Sequence, residues 1–352
     1  MTILSKLSYA LILLGLILLM GACSSTETVY LKKHHTPDGY VNTIPLESPA
    51  IGDMLGFAWE SLTSDTKNIE YPTAQNDPMF LQKNTKKATI TWVGHSTFLI
   101  QMGGLNFLTD PQFSERASPV SWIGPKRYTP PGIALEDLPV IDFVLISHNH
   151  YDHLDLATVQ YLKEKQSQNP PLYFVPLGLK SWFKDIGVEN VKELDWWEKD
   201  TFKGFAIHSV PIQHYSNRTP WNRNQSLWAG WVIENEQRTI FFVGDTGYSK
   251  DFKKIGEKFG PMDLSLLPIG AYEPRRFMES IHVNPEEAVK IHQDVQSRYS
   301  IGQHWGTFSL TTEDMDEPPR YLSQALKKAN ISESEFFVMK HGETRMLNPL
   351  FN

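Results

Sequence analysis

Ile141-Asp142-Phe143-Val144-Leu145-Ile146-Ser147-His148-Asn149-His150-Tyr151-Asp152-His153-Leu154-Asp155 is the stretch that decides the fold. Ile141, Phe143, Val144, Leu145 and Ile146 have the apolar density of a buried strand. Four metal-donor side chains, His148, His150, Asp152 and His153, then fall within six residues. Asp155 is set to cap a helix carrying Leu156, Val159 and Leu162. The pattern predicts a strand, a ligand loop and a helix, with the donors held at a rigid strand end. Imidazoles mixed with carboxylates suit zinc, manganese or iron, whereas magnesium and calcium prefer all-oxygen shells. A solvated polar turn is the plain alternative, but His and Asp clustering this dense is rare in such turns.

The rest of the chain supplies ample core: 41% of its 352 residues are apolar. The formal charge is −7 and no long basic run occurs, which disfavours nucleic acid as a partner. The N-terminus reads as a targeting segment. Lys6 gives a positive start, residues 7–20 are almost wholly apolar, and Gly21-Ala22 precede Cys23, the only cysteine. That run is short for a spanning helix and right for a signal peptide at residues 1–22. Leu19-Met20-Gly21-Ala22-Cys23 resembles a bacterial lipoprotein signal, with Cys23 as the lipidated first residue of the mature protein. An ordinary signal peptide and a short membrane anchor are the alternatives. Lipidation would hold the protein on a membrane surface, and Ser24 after Cys23 suits the outer membrane, facing the periplasm.

Residues 23–87 are punctuated by Pro37, Gly39, Pro45, Pro49, Gly52, Pro72 and Pro78 and read as a tether and docking arm. Met54, Leu55, Phe57 and Trp59 form an apolar patch expected to pack on the body of the protein, with contact to a membrane as the alternative. Residues 88–352 alternate strands and helices without an internal repeat and read as one domain. Strands are expected around Ile90–Ile100, at Leu105–Leu108, Leu172–Val175, Phe205–Val210, Leu227–Ile233, Thr239–Val243, Leu264–Leu267 and Phe336–Met339. Helices are expected at Ala157–Glu164, Ser249–Lys258 and Glu286–Val295, the last with Asn284 as N-cap and Pro285 in its first turn.

Three further donors follow apolar runs as His148 does: His214 after Ile212, Asp245 after Thr239–Gly244, and His304 after Ile301. Strand ends of an α/β sheet gather at one edge, so these side chains can converge from distant positions. Taken singly, each is more simply a hydrogen-bonded polar residue; taken with the first cluster, they read as a metal site.

His-x-His-x-Asp-His followed by His, Asp and His after strands resembles the metallo-β-lactamase superfamily. Thr91–Ser96, Phe107–Pro111, Gly124–Arg127, Val144–Asp155, Pro268–Arg275, Ile281–Ala288 and His304–Phe308 resemble its branch containing N-acylphosphatidylethanolamine-hydrolysing phospholipase D. Arg276 departs from the Trp expected there. The resemblance covers residue 88 onward. It implies an α/β fold, an αββα sandwich of two packed sheets flanked by helices, with two metals, zinc foremost, at one edge. It also implies that His148, His150 and His214 hold one metal, that Asp152, His153 and His304 hold the other, and that Asp245 bridges them. Two cations sharing one water would yield a hydroxide nucleophile and clamp the phosphoryl oxygens; Asp152 and Asp245 are the expected catalytic carboxylates. Gly244 and Gly247 are expected to relieve crowding near the metals. His282 and Tyr151 are expected to meet substrate, and His95 and Asp110 to orient ligands. Arg275, Lys126 and Arg127 are weighed between phosphate contact and ion pairs, while His208 and His292 read as structural. The expected reaction is hydrolysis of N-acylphosphatidylethanolamine-like lipids to N-acylethanolamine and phosphatidic acid. The alternatives are a lactonase or other metallo-hydrolase of a soluble metabolite, and a non-catalytic lipid-binding lipoprotein.

Overall fold

Every second residue of the first apolar strands turns toward a second sheet, and the others turn toward helices. In the computed structural model, which describes residues 32–46 and 66–347, Ile90, Trp92, Phe98, Ile100, Phe107, Phe143 and Phe174 share one core with Ile207, Trp231, Ile233 and Phe241. Val93, Leu99, Leu108, Val144, Tyr173 and Val175 instead pack with Val159, Leu162 and Phe183. A sheet buried on both faces needs such unbroken apolar strands. Cys23 and the patch Met54–Trp59 lie outside the described residues, and those from Thr36 onward belong to one unit.

β1 (Thr89–Gly94), β2 (Thr97–Met102), β3 (Leu105–Thr109), β4 (Phe143–Leu145), β5 (Leu172–Pro176) and β6 (Val191–Leu194) pair in sequence order. A second sheet follows in the same way: β7 (Lys199–Phe202), β8 (Phe205–Val210), β9 (Gly230–Glu234), β10 (Thr239–Phe242), β11 (Leu264–Pro268), β12 (Tyr299–Gln303) and β13 (Phe336–Val338). β14 (Thr344–Met346) returns to pair with β1, so both sheets have seven strands. In each sheet the early pairs are antiparallel and the last four strands run parallel.

Parallel pairs need crossovers, and helices supply all but the one from β3 to β4, which holds only a short 3-10 turn at Leu135–Asp137. α1 (Pro78–Lys83) precedes the sheets; α2 (Leu156–Lys165) and α3 (Lys180–Asp185) cross over in the first, and α4 (Asp251–Phe259), the short α5 (Arg275–Met278), α6 (Pro285–Asp294) and α7 (Glu317–Ala329) lie along the second. The αββα expectation holds. The α6 start is a capping box between Asn284 and Glu287 with Pro285 at its head. None of the described helices is long and apolar enough to cross a membrane.

Two differences from the sequence expectations have clear causes. Leu227–Ala229 is not strand: Leu227 N donates to Leu177 O and Ala229 N to Ser147 O, so these amides tie loops and β9 begins at Gly230. α7 was hidden because Pro318 and Pro319 look like loop punctuation. At a helix N-terminus proline removes no helical hydrogen bond, and Leu322, Ala325 and Leu326 then bury one face. Of the N-terminal arm, Ala74 N donates to His341 O (2.7 Å) and the Tyr71 ring meets that of Trp305 at 5.3 Å.

His292 lies buried between α6 and β12, with Nδ1 2.8 Å from Ser300 Oγ. Burial lowers its pKa to about 4. The unfolded chain therefore binds a proton below about pH 6.5 that the folded chain refuses until about pH 4, so stability falls with pH across that window. This one group should contribute a loss of about 3 kcal/mol between neutrality and pH 4. Urea titrations of the parent and His292→Gln should show the parent's stability advantage shrinking over that range. A gap constant from pH 7 to 4 would show that His292 is not the titrating group.

Candidate metal centre

The parallel strands end at the same edge of both sheets, and there the donors meet. His148 follows β4, Asp245 follows β10, and His304 follows β12. His214 comes shortly after β8, and the tight turn after His148 brings back His150, Asp152 and His153. His95, Asp110 and His304 all have left-handed backbone (φ 54°, 32° and 65°), a conformation that costs non-glycine residues free energy and concentrates at functional sites.

The structure brings all seven expected donors together in two groups. In one, His150 Nδ1 lies 2.8 Å from His148 Nε2 and 3.3 Å from His214 Nε2. In the other, His153, His304 and Asp152 converge with His95; His304 Nε2 is 3.5 Å and His153 Nε2 3.3 Å from Asp152 Oδ2. Asp245 stands between them. Its Oδ2 is 3.0 Å from His153 Nε2, 3.9 Å from His214 Nε2 and 4.0 Å from His148 Nε2, and its Oδ1 is 3.1 Å from His304 Nε2.

Hydrogen bonds behind the cluster fix which nitrogen faces inward. Asp110 accepts from Ser147 N (2.7 Å), from Ser147 Oγ (2.5 Å) and from His153 Nδ1 (2.7 Å). Because Ser147 Oγ gives its proton to Asp110, the 2.9 Å contact with His148 Nδ1 makes that nitrogen the donor. His214 Nδ1 likewise donates to Ile281 O at 3.0 Å. In all three rings Nδ1 carries its proton outward and Nε2 is the nitrogen that faces the cluster, as in metal-ligating imidazoles. Burial pushes the Asp110 pKa up, against the hydrogen bonds from His153 and Ser147.

Charge balance points the same way. Burial drives His148 far down, His150 to about 3 and His214 to about 4, so these rings are neutral. Burial also opposes the ionised forms of Asp152 and Asp245, yet the nearby imidazoles, His153 foremost, hold both well below the usual carboxylate range. Burial works against a proton on His304 too, but Asp245 and Asp152 outweigh it and raise it to about 9; the same two carboxylates raise His153. The two buried carboxylates thus draw positive charge onto His153 and His304, beside the neutral rings of His148, His150 and His214. His153 Nε2, His304 Nε2 and Asp245 Oδ1 are buried without a hydrogen-bond partner. Unpaired inward atoms, lone pairs aimed at one another and a mixed nitrogen and oxygen donor set all fit transition-metal cations.

The remaining expected residues divide. His95 Nε2 is 3.0 Å from Asp152 Oδ2 and orients it. His282, expected at the substrate, is buried at the donor cluster itself: its Nε2 lies 3.9 Å from Asp245 Oδ2, and it groups with His214 and Asp245. Tyr151 does not aim its hydroxyl into the cluster, but donates to Arg218 O at 2.8 Å. Arg275 reaches His282 O (2.8 Å) and Glu287 (2.7 Å), and Lys126 is exposed opposite Glu115 at 3.6 Å. Arg127 is buried on the carbonyls of Gln112 and Ser114, and His208 pairs with Glu234 at 2.8 Å. At both glycines the protein itself leaves no room for a side chain. A Cβ on Gly244 would lie 2.5 Å from the Ser147 Cβ, and one on Gly247 2.3 Å from Ser280 O.

Sequence reasoning missed three supports. Asn42 grips the His214 backbone from both sides, Nδ2 to O at 2.7 Å and Oδ1 from N at 3.1 Å. Arg218 donates to Asn149 O (3.0 Å) and Leu154 O (2.7 Å), clamping both ends of the ligand loop, while its guanidinium lies 4.1 Å over the Tyr151 ring. Ser147 could have been found from its place between strand and ligands; Asn42 and Arg218 leave no local signal.

Known proteins of one family share this sequence and fold. A model of the beta-lactamase superfamily domain matches residues 105–305. N-acyl-phosphatidylethanolamine-hydrolyzing phospholipase D 1 of Caenorhabditis elegans is 46% identical over 266 residues, covering 72% of this chain and 74% of that protein. The mitochondrial N-acyl-phosphatidylethanolamine-hydrolyzing phospholipase D of Saccharomyces cerevisiae is 41% identical over 239 residues, covering 66% and 50%. Among solved structures, an isothiocyanate hydrolase from Delia radicum gut bacteria superposes with a TM-score of 0.56 at 20% identity, over 73% of this chain and 98% of that one. A metallo hydrolase from Ignicoccus hospitalis does so with 0.55 at 20% identity, over 74% and 98%.

Asp110→Asn removes the charge that orients His148 and His153 while keeping the shape. Metal affinity should fall about 10- to 100-fold with the fold intact. Chelator competition beside circular dichroism reads this directly; an unchanged affinity would mean that the ligating nitrogens need no help from Asp110.

Proposed function

This chain belongs to the metallo-β-lactamase superfamily, in the branch of N-acylphosphatidylethanolamine-hydrolysing phospholipase D, and on that premise we propose that it is a dinuclear phosphodiesterase acting on N-acylphosphatidylethanolamine-like lipids. That it is a metal-dependent hydrolase follows from the family. The observation that carries the finer reading is the position of Asp245, whose two oxygens reach both donor groups. His148, His150 and His214 would hold one cation, Asp152, His153 and His304 the other, and Asp245 both; zinc suits this set best. Bound there, two such cations supply Lewis acidity toward phosphoryl oxygens and lower the pKa of water.

The chain's own residues do the rest. Water oxygen bonds to phosphorus, the bond from phosphorus to the ethanolamine oxygen breaks, and phosphatidic acid and N-acylethanolamine leave. Asp152, the more solvent-reached of the two cluster carboxylates, is proposed to take the water proton and return it to the departing ethanolamine oxygen, with Oδ2 steadied by His95. His282, buried beside Asp245 with Nδ1 unpartnered, is the proposed contact for the phosphate head. His95, Arg218 and Asn42 hold the donors still, so little reorganisation accompanies reaction.

Metal analysis of replete protein should give two transition-metal ions per chain. Asp245→Asn should weaken both sites, and His304→Ala should lower turnover by about two orders of magnitude or more with the fold retained. One ion per chain would end the dinuclear reading. In a panel of phospholipids and lactones, turnover of the lactones alone would replace the substrate class with a soluble metabolite.

We also propose that Cys23 is acylated and holds the enzyme on a bacterial envelope membrane, with the lipid substrate in reach. Cys23→Ser should lower hydrolysis of membrane lipid more than that of a short-chain soluble diester. Mass spectrometry of the mature N-terminus with membrane fractionation decides this; an unmodified Cys23 removes the anchor and leaves the metal chemistry untouched.

A further inference from the structure

Two exposed aromatic tips project from the loops around the metal centre. In the first, Ala117 N donates to Pro125 O at 3.0 Å and Arg116 pairs with Lys126, closing a hairpin whose end carries Trp122 and Ile123, 76% and 56% exposed. Its base is tied to the centre: Arg127 pairs with Phe308, whose ring lies 5.2 Å from that of His95. In the second, the chain leaving His214 passes Tyr215, whose ring is 4.6 Å from that of His150, and Arg218, then presents Trp221, 84% exposed, on a turn. Arg223 lies 4.5 Å over the Tyr215 ring beside it.

Trp122 stands with Val120 and Ile123 on one tip, and Trp221 is the most exposed large apolar side chain among the described residues, so the two tips concentrate apolar surface in front of the centre. The charge around the tips is opposite to that of the chain. Of the side chains that reach solvent there, Arg116 and Lys126 stand beside the single acidic Glu115 on the first loop, and Arg223 has no acidic residue within 211–227 on the second, in a chain of net charge −7. Indole rings favour the headgroup layer of a bilayer, and basic side chains next to them favour anionic lipid. A folded protein partner would more commonly require one continuous apolar patch; here the apolar side chains stand on two separate tips with basic residues between donor loop and tip.

We propose that the Trp122 hairpin and the Trp221 turn seat the protein on an anionic phospholipid surface, with both indoles in the headgroup layer and the metal centre facing that surface. This rests on the phospholipid reading of the site for its purpose, not for its test. The chain has a single cysteine, so full-length Cys23→Ser gives a background for placing one label. An environment-sensitive fluorophore would be attached after Trp122→Cys, Trp221→Cys or Gln237→Cys. Gln237 is exposed in the turn between β9 and β10, at the opposite edge from Asp245.

Vesicles of phosphatidylcholine with phosphatidylglycerol should shift the emission of the labels at 122 and 221 to the blue and leave 237 unchanged. The shift should weaken with salt and with phosphatidylcholine alone. A tether at the N-terminus alone would bring the protein to vesicles without moving either tip label, and equal responses at all three positions, or none, would overturn the proposal. So would a shift at 122 and 221 that follows protein concentration and not lipid, which would mark contact between copies. In the native background, Trp122→Ser with Trp221→Ser should lower hydrolysis on vesicles about tenfold while a short-chain soluble diester is turned over within about twofold of the parent. Equal rates on vesicles would sink the docking role and spare the activity; blue-shifted tips with no diester hydrolysis at all would sink the activity and spare the docking.

Discussion

The buried Asp110 carboxylate is the constraint on which the rest of the site depends. It takes the Nδ1 proton of His153 directly and that of His148 through the Ser147 hydroxyl. One carboxylate therefore sets the tautomer of an imidazole in each donor group. Without it the two rings could present a proton or a lone pair inward with similar ease, and a cluster that needs lone pairs would be lost among alternatives. The cost is a charge far from solvent, offset by three hydrogen bonds on the carboxylate. Asp110 also sits at φ 32°, so its backbone is held in a conformation that local preference alone would not select.

The architecture makes that arrangement affordable in strain because rigid strand ends supply most of the donors. Each sheet contributes its parallel half, and the parallel halves end at one edge. The seam between the sheets is tight there: Gly244, just before Asp245, leaves no room for a Cβ beside Ser147, just before His148. Asp245 reaches both donor groups because the strand preceding it approaches the first sheet this closely. Glycine at 244 and serine at 147 are therefore one packing decision, and its consequence is electrostatic, a carboxylate delivered to the middle of five imidazoles.

Much of this was legible in the sequence because it is local. Ligands directly after apolar runs announce themselves, and so do Asn284 and Pro285 at the head of α6. What could not be read is what long-range contact decides. Asn42 supports His214 from 172 positions away, and nothing in its neighbourhood marks it. Arg218 looks like one surface cation among many, yet it clamps the loop that bears four donors. Tyr151 looked like a pocket residue because it lies within the donor run, but side chains in a tight turn diverge, and its hydroxyl went to the clamp. Leu227–Ala229 has strand composition, yet its amides serve loops from elsewhere.

The same supports explain how the centre can be both fixed and open. The donors are held from behind, by Asp110, Ser147, Ile281 O and Asn42, and the loops carrying Tyr215 and Phe308 stand at the other side, against the rings of His150 and His95. Rigidity is therefore invested in the wall opposite the solvent. Arg218 belongs to both, since it ties the outward loop to the ligand run through Asn149 O and Leu154 O. A hydrolase built this way keeps its charge arrangement in the strand ends, whatever the loops in front of them meet.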